Sequence, residues 1–378
     1  MARNPKPVKI KRYRSSMGSS AQGMAAVKRI IPFVLAAVLV VAVGFMLGKP
    51  LLNIISGGGE DSSSQAVVST LPEADSQQET VQQSQPDSSD IPVVVPGITE
   101  SVNRVYYYAS PSALSSESGI AAVIKQMKDK GATHLVFDVK NPDGYVHYIS
   151  SNIYASQLAD SVLIDIPALV SALRAENLTP VGRIYTFMDK MISSVERSTA
   201  VMYMGSDTRW LDTSAALGGK PWANPASRIM QDYIIALTDE ILAMGVNEII
   251  YAGFSTPTGY SLDKRDFGAT TEQVLAKMQS LIGTLKAKIS AKGGYSTWQF
   301  EYTAVAEDGD YSQYIVHPYQ LGAENMIITA KGSDIDVPAV TAQLTVSENH
   351  EEIDEITLWL TDNADASETK TMGSYFVS

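Results

Sequence analysis

The chain has 378 residues, 45% of them hydrophobic, a formal net charge of -12 and no cysteine. A chain of this length holds two average domains or one barrel with appendages. The acidic balance argues against a nucleic-acid surface, and the missing thiols exclude disulfides, thiolate catalysis and cysteine-ligated zinc.

Residues 1–29 carry Arg3, Lys6, Lys9, Lys11, Arg12, Arg14, Lys28 and Arg29 and no acid. The uncharged run 30–48 follows, with Pro32 near its start, where a first helical turn tolerates proline. About 20 apolar residues span a bilayer core as a helix. The basic block predicts a cytoplasmic amino terminus, with the remainder outside the cell. Lys49-Pro50-Leu51-Leu52 offers no small-x-small cleavage site, so 30–48 reads as a retained signal-anchor. Residues 49–100 are rich in Ser, Gln, Asp and Pro and lack any helical or strand period. Such a tract cannot bury enough surface to offset chain entropy, and it reads as a disordered tether.

Residues 101–378 alternate strand and helix patterns. Asn103–Tyr108 is an aromatic, β-branched first strand, and Ser118–Lys130 places Ile120, Val123, Ile124 and Met127 at helical spacing. Thr133–Val139 is a second strand, followed by a turn over Lys140–Tyr145 and a short strand or hairpin arm from Tyr145 to Ile149. A helix over Asp165–Asn177 precedes a third strand, Thr179–Phe187. A long irregular region, Met188–Pro225, leads to a helix over Ala226–Met244 and a buried strand over Glu248–Phe254. A helix over Thr270–Lys292, capped by Thr270 or Thr271, precedes a fifth strand, Ser296–Tyr302. At most a short helix lies within Tyr311–Leu321. Further strands are expected at Asn325–Ala330, Glu355–Leu360 and Tyr375–Val377, with a helix over Ile335–Leu344 interrupted near Pro338.

This rhythm predicts an α/β fold with a parallel sheet, and seven or eight strands fit a (β/α)8 TIM-like barrel better than an open doubly wound sheet. No Gly-x-Gly-x-x-Gly, Walker A or Gly-x-Ser-x-Gly pattern follows any strand. The histidines His134, His147, His317 and His350 make no i, i+4 pair, so neither a metal nor a cofactor is expected.

In a barrel, chemistry sits at the carboxyl ends of the strands. Period two places Asp138 and Lys140 on one face of the second strand. Arg183 lies inside the third strand, where an unpaired charge is costly, and Asp138 is its expected partner. That pair is equally compatible with a structural role and with ligand contact. Asp189 follows the third strand and Glu301 ends the fifth, each placed to reach the mouth or to cap a helix. Glu248 comes early in its strand, which puts it at the barrel bottom or in a stabilising pair. Tyr145, Tyr185, Trp210 and Trp222 have the flat apolar surface that stacks on sugars, although packing is the commoner use of such rings.

From Arg104 onward the motifs resemble a family of bacterial glycosyl-hydrolase-like barrels related to the α-amylase type. Phe137-Asp138-Val139-Lys140 with Asp143-Gly144-Tyr145, Arg183 through Asp189, Trp210-Leu211-Asp212, Trp222-Ala223-Asn224-Pro225 and Met244 through Ile249 follow the family pattern in order. The resemblance implies a glycan ligand, with Asp138 and Asp189, joined by Glu301 from its place at a strand end, as acid, base or nucleophile. It also implies Lys140, Tyr145, Arg183, Tyr185, Trp210, Asp212, Trp222 and Asn224 as substrate contacts. One departure stands out. Ala252 and Ser255 occupy the positions where the family pattern carries a strand-end Asp and an Arg. Glycoside hydrolysis normally uses two carboxyl groups, so two readings stay open: a membrane-anchored, extracellular glycoside hydrolase, or a non-catalytic carbohydrate-binding or envelope module.

Overall fold

The computed structural model describes residues 103–346, 353–362 and 367–377. The expected basic tail, membrane anchor and tether, and His350, lie outside the described residues. Among the described residues, no helix is long and apolar enough to cross a membrane.

Eight parallel strands form a nearly closed barrel: β1 (Val105–Tyr108), β2 (His134–Lys140), β3 (Thr179–Tyr185), β5 (Glu248–Ala252), β7 (Tyr295–Glu301), β8 (Asn325–Ala330), β9 (Glu355–Leu360) and β10 (Tyr375–Val377). The sheet order is β10-β1-β2-β3-β5-β7-β8-β9. Two short strands, β4 (Met202–Tyr203) and β6 (Arg265–Asp266), pair antiparallel outside the ring. The backbone ladder stops at β9 and β10, and side chains bridge that seam. Trp359 of β9 stacks on Phe376 of β10, with centroids 4.3 Å apart and planes 2° apart.

The helices follow their sequence signals. Helix α1 (Glu117–Lys130) is capped by Ser116 and ends at Gly131 in the left-handed region. Asp165 caps α2 (Ile166–Ala175), and Ser227 caps α4 (Arg228–Ala243). Thr270 and Gln273 form a reciprocal capping box on α5 (Thr271–Ser290). Pro338 lies in the first turn of α6 (Val337–Val346), so it starts that helix and does not interrupt it. Residues 145–149, expected as a strand or hairpin arm, make only isolated bridges through Val146. Residues 311–321 hold two 3-10 turns, Ser312–Tyr314 and Pro318–Gln320.

The outer core lies between the helices and the outward faces of the strands; Leu135, Phe137, Ile184, Tyr251, Trp298 and Ile328 belong to it. Inside the ring the residues stack in layers. At the bottom, Arg104 pairs with Glu355 (3.0 Å) and Glu248 (3.4 Å), beside His134 and over the Tyr295 ring. Glu248 therefore sits at the barrel's foot, in a stabilising pair as expected. An apolar layer of Tyr106, Val136, Val181, Ile250, Ile327 and Phe376 lies above it. Tyr108, Asp138, Arg183 and Trp359 form the mouth.

Candidate functional site at the barrel mouth

Strands β1, β2, β3, β7 and β9 deliver inward residues near their carboxyl ends to the mouth. Asp138 of β2 stands opposite Arg183 of β3 in the ladder. Arg183 Nε donates to one Asp138 oxygen at 2.6 Å and Nη2 to the other at 3.1 Å, a bidentate fork between groups that are 7% and 6% exposed. The Tyr108 hydroxyl donates to the same carboxylate at 2.9 Å. Burial works against the Arg183 cation, but the Asp138 charge outweighs it and keeps the guanidinium protonated. Burial, reinforced by Asp138, raises the Tyr108 phenol and keeps it a neutral donor.

Aromatic rings surround this pair. The guanidinium carbon lies 4.8 Å from the Tyr108 ring, 4.9 Å from Trp359 and 5.2 Å from Tyr185. All three rings are partly exposed. Gln299 of β7 accepts from Arg183 Nη1 at 3.4 Å, tying the far wall to the pair. Burial raises the Tyr185 phenol too, so its hydroxyl stays available as a neutral donor.

Lys140 does not share the face of Asp138, as strict alternation had predicted. A bulge between Asp138 and Lys140 shifts the register, so Lys140 stands opposite Ile184, a residue of the outer core. There its ammonium lies 2.8 Å from Asp189, with both side chains 0% exposed. It also donates to the Tyr185 carbonyl at 2.6 Å. Burial pushes the Lys140 pKa below its ordinary value, and Asp189 opposes that shift. The other Asp189 oxygen accepts from the backbone N–H groups of Met191 and Ile192, both at 2.8 Å, at the start of α3 (Ile192–Val195). Gly144, at φ +101°, packs so tightly here that a Cβ would come within 2.1 Å of Asp189. Asp189 is thus enclosed and does not face the mouth.

Glu301 has a different setting. It ends β7 opposite Thr329 and is exposed. Its charge reaches Tyr185 and Tyr314, where after burial it helps to raise both phenols.

The remaining candidates brace loops. Trp210 is 0% exposed and donates its indole N–H to the Ser261 carbonyl at 3.0 Å. Trp222 is 5% exposed and packs with Trp210 against Val201. These two rings form a small loop core and offer no stacking face to a ligand. Asp212 accepts from the Lys220 N–H at 2.8 Å. Asn224 donates to the Phe267 carbonyl and accepts from Ala226. Tyr145 is half-buried in the 141–145 turn, where the Asn141 side chain accepts its N–H.

Three mouth residues escape a reading by motif: Tyr108, Gln299 and Trp359. Period two from Glu355 would have brought Trp359 to the inner face at the carboxyl end of its strand. The same count applies to Tyr108 and Gln299.

The end of β5 is closed. Ala252 is 0% and Ser255 3% exposed. The Thr186 N–H and hydroxyl both donate to the Ala252 carbonyl, and the N–H groups of Phe187 and Met188 donate to that of Gly253. Gly253 adopts φ +59°, and a Cβ there would come within 2.7 Å of Met188 Cβ. The carbonyls at the end of β5 are thus taken up by the β3 loop, and Ala252 itself is buried.

Several solved structures align with the chain. The PgaB (BpsB) glycoside hydrolase domain from Bordetella bronchiseptica aligns over 73% of this chain and 94% of its own length, at 10% identity and TM-score 0.53; at that identity the likeness is one of fold. A hypothetical protein from Ruminiclostridium thermocellum aligns over 51% of this chain and 96% of its own, at 18% identity and TM-score 0.42. A GH20 exo-β-N-acetylglucosaminidase from Vibrio harveyi aligns over 69% of this chain but only 41% of its own length, at 10% identity and TM-score 0.45. Among curated proteins, none matches the chain. The family model described as "Putative glycosyl hydrolase domain" matches residues 106–312, more than half of the chain and the run from β1 past β7, and the chain belongs to that family.

Proposed function

We propose that this protein is a glycan-binding barrel held outside the cell membrane by residues 30–48, and that two-carboxylate glycoside hydrolysis has been lost from it. The observation that carries this reading is the state of the candidate acids. Asp138 is locked by Arg183 and Tyr108, and Asp189 by Lys140 and two backbone donors. A nucleophile or general base must be free to reach substrate or water. Of the three, Glu301 alone is exposed and makes no ion pair among the described residues. One carboxyl group does not make the acid-plus-nucleophile or acid-plus-base pair that hydrolysis normally uses.

The mouth is nonetheless suited to sugars. Tyr108, Tyr185 and Trp359 contribute partly exposed flat rings at small entropy cost. The Arg183–Asp138 pair and Gln299 supply held polar groups around them, and Glu301 adds an exposed carboxylate. The sugar's apolar face meets ring surface and its hydroxyls meet polar groups of set orientation. The uncharged run 30–48 behind a basic block, and the polar tract 49–100, support display at the outer surface of the membrane.

The test is a paired measurement on the purified protein with soluble peptidoglycan fragments, chito-oligosaccharides and malto-oligosaccharides. Binding is read by calorimetry and hydrolysis by reducing-end release. Binding that weakens in Tyr185→Ala, with no release at high enzyme loading, is expected. Release by the wild type that vanishes in Glu301→Gln, at unchanged thermal stability, would restore the hydrolase reading.

A further inference from the structure

The loops outside the mouth carry a feature that binding of a single sugar does not use. Tyr260 is 57% exposed and Tyr311 is 43% exposed. They lie on two different loops at the carboxyl face of the barrel, Tyr260 after β5 and Tyr311 after β7. Lone exposed rings are ordinary on protein surfaces. These two differ because their loops are fastened together and individually braced.

The Thr256 N–H and hydroxyl both donate to the Gln313 carbonyl, at 2.7 and 2.9 Å. This joins the β5 loop to the β7 loop only a few residues from each tyrosine. Arg265 of β6 clamps the same point, donating to the Pro257 carbonyl at 2.7 Å and the Thr256 hydroxyl at 3.3 Å. The Tyr260 N–H donates to the Asp212 carbonyl at 2.9 Å, and Gly259 at φ +114° sits so close that a Cβ would come within 2.4 Å of that oxygen. Tyr311 rests edge-on against His317, with centroids 5.3 Å apart. Burial lowers the His317 pKa, which keeps that ring neutral. Chain reach from the Thr256–Gln313 junction bounds the separation of the two tyrosine Cα atoms at roughly 25–30 Å.

We infer that the ligand of this barrel is a polysaccharide strand that leaves the mouth across Tyr260 and Tyr311, and not a mono- or disaccharide. The inference rests on the glycan-binding reading of the mouth. Glu301 ends the strand that leads into the Tyr311 loop, and Ala252 ends the strand that leads into the Tyr260 loop. A strand leaving over that side of the rim therefore passes the two loops in question. Rigid rings lose little conformational freedom when a sugar stacks on them, so their exposure on braced loops serves a long ligand.

The experiment measures affinity against chain length. Chito-oligosaccharides and malto-oligosaccharides from two to eight sugars are titrated into the wild type, the Tyr260→Ala/Tyr311→Ala double variant and Tyr185→Ala. For the series that binds, two extra stacking rings are worth roughly tenfold between the shortest and longest members. In the double variant that ratio falls to near one, whereas Tyr185→Ala weakens every member. Affinity independent of length in the wild type, or a length ratio unaltered in the double variant, overturns the polysaccharide inference while leaving the mouth site standing. If no member of either series binds, the glycan-binding reading itself fails, and this inference with it.

Discussion

Arg183 meets Asp138 across the β2–β3 ladder as a two-pronged pair inside the barrel, with Nε 2.6 Å from one carboxylate oxygen. The two residues most suggestive of chemistry in the strands thus satisfy each other. Asp138→Ala leaves a buried guanidinium without its counter-charge and is expected to cost about 3–5 kcal/mol. Replacing both, as Asp138→Leu with Arg183→Met, is expected to recover most of that loss, because an apolar pair of similar volume carries no desolvation penalty. Chemical denaturation of Asp138→Ala, Arg183→Met and the double variant checks this. A double variant no more stable than either single would show that the pair does more than neutralise itself.

Lys140 and Asp189 make a second enclosed pair, and here the backbone depends on it. Lys140→Met removes the charge facing Asp189 and the donor to the Tyr185 carbonyl. A loss of about 3–5 kcal/mol is expected. Faster amide exchange at Met191 and Ile192 should accompany it, since Asp189 accepts both N–H groups. Global destabilisation with unchanged local exchange at those two amides would count against the coupling.

The position of the family's missing acid tests whether hydrolysis can be restored by composition alone. Ala252 is 0% exposed, and its carbonyl accepts from Thr186 of the loop after β3. Ala252→Asp therefore places a carboxyl group in a closed site, at an expected cost of about 1–3 kcal/mol when its hydrogen bonds are not met. No reducing-end release is expected from it. Appearance of Glu301-dependent hydrolysis in that variant would mean the site opens readily and would contradict the packing described here.

Glu240 offers a local counterpart. Burial opposes its ionisation, but hydrogen bonds from Ser150, Ser151 and Tyr148 outweigh that and hold its pKa below the ordinary value. A carboxylate with a depressed pKa contributes stability that is present above its unfolded value and is lost as pH falls through the folded one. Glu240→Ala should loosen residues 148–151, read as faster hydrogen exchange there, with about 1–3 kcal/mol lost overall. In the wild type, the same segment should lose protection on acidification below the ordinary glutamate range. Exchange at 148–151 that is insensitive to both changes would show the loop is held by other contacts.

At high pH the tyrosines dominate. Burial raises the phenols of Tyr108, Tyr148, Tyr251, Tyr295 and Tyr314, and pushes Tyr319 up to about 12. Each has a folded pKa above its unfolded value near 10. Their contribution is therefore whole below pH ~10 and is lost as pH rises toward the folded values. Phenolate absorbance should appear in two stages, with exposed tyrosines titrating first and the buried set only together with unfolding. A single stage near pH 10 in a still-folded protein would refute this.

The element order of the barrel was legible because burial on both faces forces apolar runs, and because Ser116, Asp165, Ser227 and Thr270 cap their helices through local chemistry. The Asp138–Arg183 pair was legible for a related reason: two charges inside adjacent parallel strands have few other ways to be satisfied. Trp210 and Trp222 were harder to place. They lie in the long region after β3, where no period exists, and only the fold shows them packing against Val201 and not opening to a ligand.

By itself the sequence determined the parallel α/β rhythm, the family motifs and the missing acid at Ala252, since each depends on residue types at short spacing. Only the tertiary structure decided what the remaining acids can do. A one-residue bulge carried Lys140 off the inner face and into Asp189, and the end of β5 was buried with its carbonyl held by Thr186. Ring closure between β9 and β10 brought Trp359 to Arg183, although the two are far apart in the chain. Strand register and barrel closure are set by contacts distant in sequence, so the mouth takes its chemistry from them and not from any local motif.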